Sequence, residues 1–594
     1  MASTDFTAWP VDELTRVFPY DAPPPGAAAL AKSGWDLAAA RGEHVGCQIA
    51  VHASGDTRDL QIEVSDLRSR AGTITARNIQ TRWVGLVPVP LDAFDTTGAE
   101  RPHLAPGWYP DPLLEAPPWA GSTETKSLAL HLSISVPARA KAGTYRGSVT
   151  VRSGRKRLAR IPLSLQVWPF AIPRKPTFNY TNWFHLDCLT KWHRCPPWSE
   201  RHWQIIDLYA AEMAAHRQNV ITTPALTGNF HNFDPMTLVD VIRKRNGTYA
   251  FDFEKLQRWV NVFDSHGFAY YEMWHFLAQA HGKHAQAFGL YDEKKKGRVW
   301  YDKLSPNSAT FKGLVSAFLT ELSQWLDRRK LTDRFLLHVY DEPRRETWPH
   351  YAKMSKFYRE HAPGLRQVDA ISTSDLITEF GADLDIPVPL TPHLEDDAYF
   401  RERGQAGSDP VWWYTCCGPS GRHANRFVSQ PLVNGRTLFW QGFAFGVTGY
   451  LHWGYNFWHR TRQQASEWPG VNSYADGRLL NPLREHPTQW AVGDAAIVYP
   501  HPEWWEDRGP IGSLRYEAVR AGLQDYELLK MLEGLVSKGR PKKSSREAKA
   551  VAAGKRALKS ATGPIAGSLT EFPRDPSRLL NTRRKVGDAI AALI

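Results

Sequence analysis

The residues with the clearest capacity for chemistry are two neighbouring acids, Asp341 and Glu342. They end the run Phe335-Leu336-Leu337-His338-Val339-Tyr340-Asp341-Glu342-Pro343. Carboxyl groups set side by side can supply acid, base and charge-stabilising roles to one reaction. The run before them is short and apolar, as expected of a strand buried in a parallel sheet. Pro343 cannot donate to a sheet ladder, so the strand stops there. In a barrel of parallel strands, active sites lie at the carboxyl ends of the strands, where these acids fall. A plainer reading is that both acids cap a following helix, because acids favour a helix N-terminus.

The elements around the pair decide between those readings. From about residue 173, apolar strands alternate with amphipathic helical stretches, the pattern of βα units on a parallel sheet. Strands are expected at 178–183, 220–224, 270–274, 335–340, 368–371, 385–388, 411–415 and 448–453. Helices are expected between them at 203–216, 253–266, 311–328, 348–361 and 432–445, with a closing helix over Ser513–Glu527. Eight strands are enough to close a (β/α)8 barrel, with the acid pair at the end of the fourth. The strand ends would then converge on one mouth. Asn182, His185, Trp274, Asp369, Trp413, Tyr414, Trp453 and Asn456 are the candidate substrate-binding residues there, with Glu272, His275, Tyr455 and Trp458 nearby. Rings that stack on apolar faces, beside amides and acids that bond hydroxyls, suit a pyranose. Barrel packing is the alternative role for each single ring. Arg515 and Glu517 on the closing helix are expected in structural salt bridges.

Residues 1–172 read differently. Period-two runs at 44–51, 60–64, 128–136, 147–151 and 161–168, separated by Gly, Pro and Asp turns, predict an antiparallel β-sandwich. Pro169, Pro173 and Pro176 predict a stiff connection to the barrel. This part holds no acid–base constellation and reads as a supporting domain. The expected organisation is a sandwich over 1–172, a catalytic barrel over 173–540 and a basic, partly helical, solvated extension over 541–594.

Composition narrows the function classes. The chain of 594 residues has Trp 24, Tyr 21 and Phe 26, rings enough for both packing and stacking. Its formal charge of +12 is concentrated: residues 530–594 carry 15 Lys/Arg against 5 Asp/Glu, or +10, and the rest is close to neutral. No nucleic-acid-reading motif accompanies that charge, so no nucleic-acid partner is expected. Five cysteines cannot all pair, Cys416 and Cys417 are adjacent, and Cys188 and Cys195 lack a second pair at zinc spacing, so reduced structural thiols are expected. With no metal cluster or phosphate loop apparent in the sequence, no metal and no cofactor are expected. No run approaches the ~20 apolar residues of a membrane span. Met1–Pro25 lacks the charged and apolar regions of a signal peptide, which leaves a cytoplasmic protein or a secreted one with its leader removed.

Four motifs in this order carry a family resemblance: Tyr340-Asp341-Glu342-Pro343, the strand Trp412-Trp413-Tyr414-Thr415-Cys416, the segment from Gly449 to Trp458, and the stretch from Arg515 to Glu527. They resemble the catalytic domain of glycoside hydrolase family 123 and its close relatives over most of residues 175–535, and the N-terminal sandwich resembles the one those enzymes carry. The resemblance implies a β-N-acetylgalactosaminidase acting on a β-linked GalNAc glycoconjugate or oligosaccharide. It implies that Asp341 orients and polarises the substrate's 2-acetamido group and that Glu342 is the general acid and base. The long basic extension from about 540 departs from the family pattern.

The chemistry of adjacent acids agrees with this on one point. A conventional glycosidase needs two carboxyls on opposite sides of the anomeric carbon. Neighbours on one strand start from the same wall and cannot easily straddle a sugar. A substrate whose own acetamide oxygen attacks removes the need for an opposing acid. Glu342 would protonate the leaving oxygen while an oxazolinium ring closes, and water would reopen the ring with retention. Tyr414 would donate to the acetamide oxygen, and Trp413 or Trp453 would wall its methyl. Two alternatives compete. One is a glycosidase on a GlcNAc or 2-hydroxy sugar that uses Glu272 or Asp369 as the partner acid. The other is a carbohydrate-binding protein without catalysis.

Overall fold

The computed structural model describes residues 6–53, 60–89, 107–115, 127–228, 236–279, 281–407, 409–458, 491–501, 506–538 and 546–594. The boundary expected near 540, and the first residues of the Met1–Pro25 stretch, lie outside them. Among the described residues no helix is long and apolar enough to cross a membrane.

The N-terminal part is a sandwich of two sheets. One sheet orders its strands Phe6–Val11, His44–Ala53, Ser127–Ser135, Ile79–Val89 and Gly107–Leu114. The other is built on the long hairpin of Gly143–Ser153 with Lys156–Ala171. Cys47, Ile49 and Leu132 of the first sheet and Val149, Leu163 and Leu165 of the second close one apolar core, as alternating strands require. The pairing is antiparallel except that Trp35–Arg41 runs parallel to Lys156–Ala171. That last strand continues through Pro169, so the stiff connection begins two residues later than the prolines suggested.

The barrel strands are Asn179–Asn182, Val220–Thr223, Tyr270–Met273, Phe335–Leu337, Arg366–Ile371, Ile386–Pro389, Trp412–Tyr414 and Gly449–His452. They form one parallel sheet in which each neighbours the next in sequence, and the first pairs with the eighth. Closure between the sixth and seventh rests on a single bridge, Leu390 to Tyr414. Pro387 and Pro389 account for this, since neither offers an N–H to a neighbouring strand. Thr391 N–H instead donates to the Tyr414 carbonyl at 3.2 Å. Inside the barrel, Val220, Leu336, Val368, Val388, Trp412 and Leu451 form a compact core. A larger shell of apolar side chains lies between barrel and helices.

Two features were not expected from sequence. The loops after the second and third barrel strands carry a separate four-stranded sheet, built from Asp240–Arg243, Tyr249–Asp252, Phe288–Asp292 and Gly297–Tyr301. The C-terminal region is not simply a solvated extension. Helix Pro576–Leu593 buries Leu579, Val586 and Ile590 against Trp168, Trp440 and the closing helix Leu514–Lys538. Arg583 pairs with Glu43 of the sandwich and with Asp525 of the closing helix at 2.8 Å. Trp168 Nε1 donates to Asp588 at 2.8 Å. The basic charge sits on the outer face of helices whose inner face fastens sandwich to barrel. Arg515 and Glu517 are structural, as expected: Arg515 pairs with Asp111 at 2.9 Å, and Glu517 with Arg520 and His216.

Gly587 lies directly against the Trp168 ring, which leaves no room for a Cβ. Gly587→Ala should overpack this contact and cost about 1–3 kcal/mol of stability. Thermal unfolding at neutral pH checks this. An unchanged midpoint would mean that the helix does not hold the sandwich.

Candidate active site

The fourth strand is shorter than its apolar run suggests. It ends at Leu337, and His338–Tyr340 continue over the mouth without a ladder. Val339 N–H donates to the Asp369 carboxylate at 2.8 Å in place of a strand partner. The chain then turns sharply at Glu342, whose φ is +48°. A left-handed conformation is uncommon for a side chain of this size and is further disfavoured before a proline. Such strain persists only where surrounding contacts fix it, and it concentrates at functional sites.

That turn brings the two carboxyls together. The simple alternation of an extended strand, which would point them apart, does not hold here. One amide, Gln279 Nε2, donates to Asp341 Oδ2 at 3.0 Å and to Glu342 Oε2 at 3.2 Å. Tyr414 Oη donates to Glu342 Oε1 at 2.6 Å. These bonds reach across the mouth. The helix Trp348–His361 takes no side-chain cap at its N-terminal residue, Thr347, which speaks against the capping reading. Asp341 is buried and Glu342 half-buried. Burial first, and then the charge of Glu342, push the Asp341 carboxyl well above its usual range. Burial and Glu342 also raise the Tyr414 phenol, so it stays a donor.

Beneath the pair lies a charged floor. His338 Nε2 donates to Glu272 Oε1 at 2.7 Å and His338 Nδ1 to Asp369 Oδ1 at 2.6 Å. Glu272 also accepts from Thr181 Oγ1 at 2.6 Å and Trp183 Nε1 at 2.9 Å. Asp369 accepts from Tyr351 Oη at 2.5 Å, and His275 Nε2 approaches it at 3.2 Å. Burial opposes charge on His338, but Asp369 and Glu272 outweigh it and raise the ring to about 10. Burial likewise opposes charge on both carboxylates; bonds and charge from His338 outweigh it and lower them. Burial and the His338 charge lower His275 to about 4, so it is neutral. His275, His338 and Asp369 lie close enough to ligate a cation. An imidazolium that donates from both nitrogens has no lone pair for a metal, so the floor reads as an ion network.

The sign of the pH dependence follows. His338 is raised above its ordinary 6.5, so its stabilisation is complete below 6.5 and lost as pH rises toward about 10. The depressed carboxylates contribute fully above their ordinary values of 4.5 and 3.8 and lose this as pH falls through their lowered values. His338→Gln should therefore destabilise most between about pH 4.5 and 6.5, by about 3–5 kcal/mol, because it strands two buried carboxylates. Denaturant titration of both proteins at several pH values measures this. A difference that stays constant to pH 10 would overturn the assignment.

The other sequence candidates divide. Trp453 lies in the barrel core beside Tyr414, its Nε1 donating to Asp494 at 3.0 Å. Trp274 packs edge-on to Trp183 at 4.7 Å between centroids. Asp369 belongs to the floor. Asn182 is buried lower down, accepting from Arg426 at 2.6 Å and donating to Gln218 at 3.1 Å. His185 and Asn456 form a loop clip: the Asn456 side chain accepts from the His185 backbone N–H at 2.9 Å and donates to its carbonyl at 3.1 Å. Trp413 points the other way from Trp412 and Tyr414, into the shell against the helices, with Tyr455 and Trp458. Gln279, His338 and Asp494 were missed. Burial and the Cys417 charge hold Asp494 well above the usual carboxylate range.

An eight-stranded parallel barrel with paired acids at its carboxyl-end mouth, carried beside a β-sandwich, is the architecture of a glycoside hydrolase. Residues 183–532, more than half of the chain, match the family model "Glycoside hydrolase 123, catalytic domain", and residues 19–153 match "Glycoside hydrolase 123 N-terminal domain". The chain belongs to glycoside hydrolase family 123. Its fold is similar to that of a family 123 glycoside hydrolase from Clostridium perfringens, studied for glycolipid glycan hydrolysis. The TM-score is 0.70 at 14% identity over 99% of this chain and 98% of that one. A family 39 glycoside hydrolase from Bacteroides cellulosilyticus aligns with a TM-score of 0.32 at 9% identity, over 78% of this chain and 80% of that one. No curated protein matches the chain.

Proposed function

We propose that this glycoside hydrolase is a retaining, exo-acting β-N-acetylgalactosaminidase that works through an oxazolinium intermediate. The observation that carries the reading is the shared amide: Gln279 bonds both Asp341 and Glu342, so the two acids act from one flank. Two acids on one flank cannot straddle the anomeric carbon, so the acetamide oxygen of a bound sugar serves as the nucleophile. The other acids suggested for that part, Glu272 and Asp369, are both committed to His338.

Burial and the charge of Glu342 hold the Asp341 carboxyl above its usual range. The acetamide N–H of a bound GalNAc gives Asp341 a donor, which favours its charged form. Glu342 acts as the general acid toward the leaving oxygen. As the ring closes, Asp341 faces the positive charge growing on the acetamide. In this reading Tyr414, which bonds Glu342, turns its hydroxyl to the acetamide oxygen, and Trp453 walls the methyl. Water then opens the ring with Glu342 as base.

A panel of aryl glycosides of GalNAc, GlcNAc and galactose in both anomers tests this. Turnover confined to the β-GalNAc member is expected. Preference for the 2-hydroxy galactoside would overturn the acetamide route, and turnover of none would favour a binding protein.

A further inference from the structure

Beside the acid pair the barrel mouth carries chemistry that hydrolysis does not use. Cys416 and Cys417 follow Tyr414 by two and three residues, on the strand end that also bonds Glu342. Both are free thiols; Cys417 is exposed and Cys416 half-buried, while Cys47, Cys188 and Cys195 are buried. Their sulfurs stand 3.8 Å apart, well beyond the roughly 2.05 Å of a disulfide. The backbone there is pinned. Cys416 N–H donates to the Gly418 carbonyl at 2.7 Å, and Asn425 Nδ2 to the Cys416 carbonyl at 3.0 Å. Gly418 N–H approaches Cys416 Sγ at 3.5 Å. The two sulfurs are thus held side by side at a spacing that one large thiophilic atom can bridge.

We propose that Cys416 and Cys417 form a dithiol site for trivalent arsenicals, and that filling it closes the neighbouring glycosidase site. The reaction with an arsenoxide, R–As=O, balances without an oxidant. Two As–S bonds form, the oxygen takes both thiol protons and leaves as water, and arsenic stays trivalent. Cys417 attacks first. It is the exposed sulfur, and the hydrogen bond from Cys416 holds its thiol below the usual range, which enriches the nucleophilic thiolate. Cys416 then closes the chelate. Tyr414, two residues before Cys416, bonds Glu342 at 2.6 Å, so an arsenical on this strand end sits next to the acid pair's wall. The closure step rests on the proposed function; the binding step does not.

The test uses the full chain and phenylarsine oxide. One equivalent should remove both native-state titratable thiols and lower turnover of the aryl β-GalNAc substrate at least tenfold. The dithiol 2,3-dimercaptopropanol should restore both, and 2-mercaptoethanol at equal thiol concentration should not. Cys417→Ser should bind the arsenical weakly, and its activity should be indifferent to one equivalent. Two thiols still titrating after one equivalent, or equal capture by Cys417→Ser, would overturn the site. Full capture with undiminished turnover would overturn the closure. If the wild type turns over no aryl β-GalNAc at all, thiol titration alone still decides the binding site.

Discussion

On substrates with a poor leaving group, Glu342→Gln should lower kcat/KM by about 10²–10⁴-fold, the range that general acid assistance supplies. On a nitrophenyl glycoside the loss should be far smaller in the ring-closing step, because a stabilised phenolate departs without a proton. The contrast between the two substrates is the informative quantity. Glutamine has nearly the same shape as glutamate, and its carbonyl can still accept from Tyr414, which reaches Glu342 at 2.6 Å in the wild type. A loss caused by misfolding or by a displaced Tyr414 would fall on both substrates alike. Equal losses would therefore remove Glu342 from the acid role and return attention to another donor at the mouth. Ring opening still needs a base, so the variant should accumulate the intermediate on the activated substrate. A burst of phenolate followed by a slow steady rate would show this.

How much of this site the sequence exposed depends on how far each residue obeys a period. All eight barrel strands were legible, because each is an apolar run bounded by helical stretches, and the acid pair was legible as the abrupt end of one. The alternation of Trp412, Trp413 and Tyr414 was equally readable: side chains two apart share a face, so Tyr414 in the barrel requires Trp413 outside it. Selecting both for the mouth ignored that rule. His338 carried a signal as well, since an ionisable ring inside an apolar run needs partners once buried. Its partners Glu272 and Asp369 stand on two other strands, and no local spacing joins them. Gln279 left no trace; it is one amide in a loop, and only the closed barrel sets it over the acids. The turn at Glu342 was hidden by Pro343, which favours an extended residue before it. The basic tail misled because net charge describes the outer face of a helix, while Leu579, Arg583, Val586 and Gly587 face inward at helical spacing.

Asp341→Asn should depress both substrate classes together, by about 10²–10³-fold, the cost of removing one preorganised group that meets developing charge. Asn keeps the size of Asp and can keep one bond from Gln279, which holds Asp341 at 3.0 Å. It loses the negative charge that would face the acetamide nitrogen as the ring closes, and that closure is the step that displaces either leaving group. The same substitution should weaken a GalNAc-thiazoline inhibitor by a similar factor, because the fused ring imitates the closed intermediate and meets Asp341 in the same way. Glu342→Gln should change that affinity much less, since the inhibitor has no leaving oxygen to protonate. The two variants therefore separate on the inhibitor as well as on the substrates. If wild-type enzyme fails to bind the thiazoline tightly, Asp341 is not facing an acetamide. Its burial beside Glu342 would then serve a sugar that brings no nucleophile of its own, and the opposing acid would have to be sought on another strand.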